Sequence, residues 1–177
     1  MIDLTSLPAY TPLQWLIIAV FPCLMLAAAT TDAVDMRIPN WLTSSLALAF
    51  PIAAMGTAMS FETMGLHTAV GLAGLVVGMG FFAAGWIGGG DAKLFAATLL
   101  WLGPETALAF TLLSTVLGGL LTLLLLSFRQ LPMPAPLAAR DWIMRLHDHK
   151  QGVPYGIALA AGGIIVFVQS GWIAGAA

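Results

Sequence analysis

The stretch GWIGGGDAKLF, residues 85–95, decides how the rest of the chain is read. Four glycines and an aspartate follow an apolar run about as long as a bilayer is thick. Composition identifies that run as a membrane span. The chain has 177 residues, 60% hydrophobic and only 8% charged, with a mean hydropathy of +0.97. A soluble domain carries about 25% charged residues, so there are too few charges here to cover a water-exposed surface. The expected fold is an all-α integral membrane protein forming one polytopic domain over residues 1–177.

Working outward from the glycines gives six transmembrane helices, at about 11–31, 41–59, 65–87, 91–103, 105–128 and 153–173. The fourth, DAKLFAATLLWLG, is short and preceded by the Gly-rich loop. At 1.5 Å per residue it cannot cross alone unless the glycine stretch lies at membrane depth. The first run ends in LAAATTDA, a small-residue pattern like a signal-peptide cleavage site. The leading MIDLTSLPAY has no Lys or Arg, so the run is expected to be retained as a helix.

Charge orients these spans. Arg37, Lys93, Arg129, Arg140, Arg145 and Lys150 all fall in, or one turn from, the 1–2, 3–4 and 5–6 connections. Positive-inside bias puts those connections in the cytoplasm. Both termini, with Asp3, Glu62, His67 and Glu105, are then expected outside. The formal charge of −2 suggests no nucleic-acid partner. Cys23, the one cysteine, precludes a disulfide framework or zinc-type pairs and is expected to be a small packing residue. In the loop at about 129–151, QLPMPAP is expected to be non-helical. LAARDWIMRLHDHK then aligns Ala139, Trp142, Ile143 and Leu146 as the stripe of a short interfacial helix. His147 and His149 are expected to be solvated, and no Ser sits in a nucleophile-elbow context. No internal repeat is evident.

Two carboxylates stand apart from solubility. Asp32 ends the first span and Asp91 starts the fourth. A carboxylate at membrane depth is costly and is a functional candidate by default. The bland alternatives are an Asp32 facing headgroups and an Asp91 acting as an N-cap. Both acids reach the same membrane face, so a bundle can unite them across 59 positions (91 − 32). They would lie at opposite ends of the helix macrodipole, Asp91 at a start and Asp32 near an end. Neighbouring carboxylates tend to share one proton, the arrangement an aspartic protease uses to activate water. Gly88, Gly89 and Gly90 would let an extended substrate approach closely and adopt positive φ. Gly74 and Gly78 are read instead as close helix packing.

Gly88-Gly89-Gly90-Asp91 matches the GxGD signature of intramembrane aspartic proteases. Within that class, DAVDMRIPN (32–40), GGGDAKL (88–94) and GVPYGIALAAGG (152–163) resemble motifs of the type IV prepilin peptidase family, in order and spacing along the whole chain. The resemblance implies catalytic roles for Asp32 and Asp91. It implies substrate-binding or site-shaping roles for Gly88, Gly89, Gly90, Lys93, Asp35, Arg37, Pro39, Asn40, Pro154, Tyr155 and Gly156. Asp35 is close enough to be confused with Asp32, but the spacing to IPN favours Asp32. Lys93 could equally snorkel to headgroups, and Tyr155 could carry a hydroxyl to the site or simply sit at the interface. Long family members add a zinc-binding cytoplasmic domain and N-methylate their product. With one Cys and ten residues before its first helix, this chain resembles the short peptidase-only type of Flp (tight-adherence) pili. That implies no N-methyltransferase domain, no metal and no cofactor.

The activity implied is removal of a basic leader from prepilins, and possible pseudopilin substrates, at the cytoplasmic face of a bacterial inner membrane. Partners would be those substrates and the lipid bilayer, with homo-oligomerisation open. The rivals are a small proton- or ion-coupled transporter, which also uses broken helices and intramembrane acids, and a structural subunit of a secretion or pilus machine.

Overall fold

The structure is a computed structural model that describes residues 11–174. The described residues are helical with no strand. The expected outward termini, with Asp3, are outside them. α1 (Pro12–Asp35) begins at a capping box in which Thr11 accepts from Gln14 and Gln14 reaches back to Thr11. It ends at Met36, a left-handed cap with φ of 54°. α2 (Asn40–Gly56) starts behind Pro39, and α3 (Phe61–Ala83) is capped by Ser60, whose hydroxyl accepts from Thr63 N–H. α4 spans Gly89–Gln130, and α7 spans Tyr155–Val168. Between them lie α5 (Ala135–Ala138) and α6 (Asp141–His147); α8 (Gly171–Ala174) follows α7.

Three of these helices, α1, α3 and α4, are long and apolar enough to cross a membrane. α4 is two arms. Gly103 interrupts it with φ 69° and ψ −175°, immediately before Pro104. Phe95 stacks on Phe110 at 5.5 Å, so the second arm folds back along the first. The arms correspond to the fourth and fifth expected spans, with the break where the Gly-Pro pair stands. The start differs from expectation: Gly89 and Gly90 are already helical and Gly88 is the N-cap. QLPMPAP also differs, since Ala135 and Pro136 open α5. Pro136 lies in the first turn, where its missing N–H costs nothing.

Packing follows small residues and one aromatic cluster. His67, Gly71, Gly74 and Gly78 form the buried face of α3. A Cβ at Gly71 would meet Leu100 Cβ at 2.9 Å and one at Gly78 would meet Ala92 Cα at 3.2 Å, so α3 lies close against α4. At the end of the bundle remote from the basic residues, Trp101 donates to Leu46 carbonyl at 2.8 Å and Trp172 donates to Trp101 carbonyl. Phe21, Phe50 and Phe167 ring these indoles. Cys23 is exposed on the outer face of α1, so it is not the packing residue expected.

The 131–153 region is tied to the bundle by Arg129. Its buried guanidinium donates to the carbonyls of Leu146 and Gly152, each at 2.8 Å. His149 is exposed, as expected, and His147 is half-buried; each ring also donates to a carbonyl, His147 to that of Leu131 and His149 to that of Arg129. They satisfy groups that the end of a helix leaves open.

Candidate active site

The buried stripe of α1 is Ile18, Phe21, Met25, Ala28 and Asp32, each three or four residues from the next. That spacing is one helix face, so Asp32 emerges on the packed side of α1. It is 5% exposed. Its Oδ2 accepts the backbone N–H of Gly156 at 2.7 Å. Gly156 is the second residue of α7 and Pro154 is the N-cap, so a helix N-terminus faces Asp32. Asp91 is the third residue of α4, with its carboxylate against Gly88. Asp32 lies in the last turn of α1 and Asp91 in the first turn of α4, as expected, but the N-terminus of α7 also meets Asp32 and offsets the contrast between dipole ends. The N-cap role considered for Asp91 falls to Gly88.

The two aspartates converge. Both line one cleft of about 500 Å³ with Met36, Arg37, Ile38, Pro39, Asn40 and Gly88–Gly90. They are near enough to interact electrostatically. None of Gly88, Gly89 and Gly90 has positive φ; among the described residues the glycines that do are Gly85 and Gly103. Their smallness serves close approach instead. A Cβ at Gly88 would sit 2.8 Å from Asp91 Oδ2, and one at Gly90 would sit 3.1 Å from Ile38 Cβ.

Ile38 is the residue that sequence reasoning missed. It is buried in the link between α1 and α2. Its side chain meets Gly90 on one side, and a Cβ at Gly156 would lie 2.9 Å from its Cδ1. Three segments distant in sequence thus interlock on one isoleucine. The available signal was a branched apolar residue between Arg37 and Pro39 in the four-residue connection of α1 to α2.

The other candidates divide. Lys93 Nζ donates to Asn40 Oδ1 at 2.9 Å, joining the first arm of α4 to the start of α2. Asp35 is exposed and turned away from Asp32, 3.8 Å from Arg145; an exposed pair like this contributes about 0–1 kcal/mol. Tyr155 does not turn its hydroxyl into the aspartate cleft. The hydroxyl pairs with Thr122 at 3.3 Å and the ring fills the space beside Gly118. Among the described residues, no group of three or more His, Cys, Asp or Glu side chains could hold a metal ion.

The family model of the type IV leader peptidases matches residues 19–123, more than half of the chain, including both aspartates. The chain belongs to the type IV leader peptidase family. It is therefore a membrane peptidase by family, built from apolar helices. No curated protein and no solved structure matches the chain. For a leader peptidase, an acid-lined cleft at the basic end of the bundle is the natural place to look for chemistry.

Proposed function

We propose that this leader peptidase is an intramembrane aspartic endopeptidase that removes the basic leader of type IV prepilins of the Flp kind. The reaction takes place at the cytoplasmic face of a bacterial inner membrane, within a single domain over residues 1–177. The carrying observation is that Asp32 and Asp91 share one cleft although 59 positions separate them (91 − 32). One carboxylate takes a proton from water while the other, protonated, donates to the scissile carbonyl; the hydroxyl adds to the carbonyl carbon. On collapse of the tetrahedral adduct the C–N bond breaks, the carboxyl that took the water proton gives it to the leaving amine, and the other recovers its proton from the former carbonyl oxygen. No covalent enzyme intermediate and no cofactor are involved.

The site-shaping roles follow. Gly156 N–H orients Asp32, Gly88 leaves room for Asp91, and Ile38 with Gly90 holds the two acid-bearing segments together. Pro39, Asn40, Arg37 and Lys93 border the path by which a leader reaches the acids. The basic residues gather at this end of the chain's spans, which supports the cytoplasmic side.

The test is co-expression with an Flp-type prepilin, comparing wild type with Asp32→Asn and Asp91→Asn at equal membrane abundance. Each substitution is expected to lower processing by at least about a hundredfold, the scale of lost acid–base catalysis. Processed pilin persisting at wild-type rate in either variant would overturn the aspartic mechanism. A bell-shaped pH–rate profile of wild type, lost in both variants, would mark the pair.

A further inference from the structure

Consecutive helices usually lie side by side, yet α2 and α3 scarcely touch each other. Each packs on α4. The gap between them is a lateral groove of about 290 Å³ whose floor is the first arm of α4. Ala47 of α2, Thr68 and Leu72 of α3, and Ala97 and Leu100 of α4 line it, with Lys93 at one end. Lys93 is bonded to Asn40, and Asn40 lines the aspartate cleft. Groove and cleft therefore share a wall. The floor residue Ala97 lies six positions after Asp91 on the same arm, about 9 Å along the axis. Thr68 donates its hydroxyl to Met64 carbonyl and Thr43, at the same wall, donates its own to Asn40 carbonyl, so neither offers the groove a free donor.

We infer that this α2–α3 groove is the docking site for the apolar helix of the substrate, entered sideways from the bilayer. The inference rests on the proposed proteolysis and adds where the substrate sits. A precursor has a basic leader, then the scissile bond, then an apolar helix within the membrane. A bond held at Asp32 and Asp91 forces that helix to begin beside them. The groove starts there, runs into the bundle along α4, and opens towards lipid between two helices that leave each other free.

The probe is a precursor with a short basic leader ending in Gly, followed by an apolar helix of about 20 residues. It carries single cysteines along one turn of that helix. The peptidase carries Cys23→Ala and Asp91→Asn, so the precursor stays uncut, with either Ala47→Cys, Leu72→Cys or Val116→Cys. Val116 is exposed on the second arm of α4 and does not line the groove. Disulfide capture from positions 47 and 72 is expected to exceed capture from 116 at least fivefold. Equal capture from 116, or none from 47 and 72, overturns the docking site. In the active chain, Ala47→Leu is expected to raise KM for the probe fivefold or more at unchanged kcat. An unchanged KM also overturns it. Failure of the proteolytic reading would be seen separately, as undiminished cleavage by Asp32→Asn.

Discussion

The two ends of the bundle use the same device for opposite purposes. At the basic end, Asp32 is pressed against Gly156, whose missing side chain lets its N–H reach the carboxylate. At the other end, His67 is pressed against Gly103. Pro104 has no N–H to offer the Leu100 carbonyl four residues before it, and His67 Nδ1 donates to that carbonyl at 3.0 Å. His67 also stacks on Phe50 beside a cavity of about 140 Å³, whereas Asp32 and Asp91 face about 500 Å³ of open cleft. His67 has its Nδ1 engaged by backbone and meets only a small cavity, so its role is structural; Asp32 likewise accepts one backbone N–H, from Gly156, but keeps further lone pairs toward the cleft. A carboxyl left facing a cleft with a like-charged neighbour is available for chemistry.

Glycine substitutions break the comparison most sharply. In Gly156→Ala the new Cβ would meet Asp32 Oδ2 at 2.8 Å, so the carboxylate must move. Cleavage is expected to fall about a hundredfold, the usual effect of misplacing a catalytic group by about 1 Å. A loss below threefold at equal folded protein would show that Asp32 needs no such orientation. Gly103→Ala is expected to act on stability instead. Its φ of 69° and ψ of −175° suit glycine alone, and strain there costs about 1–3 kcal/mol. Thermal unfolding should move down while turnover per folded molecule stays within twofold. A turnover collapse at unchanged stability would erase the distinction between the two ends.

Side-chain changes refine it. His67→Leu leaves the Leu100 carbonyl without its imidazole partner and is expected to cost about 1–3 kcal/mol, the range for an unmet buried acceptor. Denaturant or thermal melts in detergent would register it, with turnover unchanged. The smallest effect is expected for Tyr155→Phe. Its hydroxyl belongs to Thr122, so cleavage should stay within twofold of wild type. A tenfold loss would put that hydroxyl back into the reaction.

Much of the architecture was legible in residue order. Apolar runs and scarce charge announce membrane helices, and Gly103-Pro104 marks the turn between the two arms of α4 through the ordinary breaker chemistry of those residues. Asp32 and Asp91 stood out as acids without a solubility role. Other features were hidden. Glycine's permissiveness suggested a positive-φ loop over 88–90, but Gly89 and Gly90 joined α4 because helical hydrogen bonding outweighs a propensity cost of about 1 kcal/mol per glycine. The carbonyl bonds of the histidines in the 129–151 loop were not legible, because nothing local reveals that α4 ends beside them with carbonyls to satisfy.

What the sequence by itself determined is helical class, the clustering of basic residues, and which side chains could carry acid–base chemistry. All three depend on residue type and near-neighbour spacing. The tertiary structure alone decided which face of each helix turned inward. α1 is apolar on every side, so nothing local distinguishes the stripe ending in Asp32 from the one carrying Cys23. Contacts from α4, α7 and the Ile38 link made that choice, bringing together groups up to 124 positions apart in the Gly156–Asp32 bond. Such distances are properties of packing, and periodicity along one helix carries no information about them.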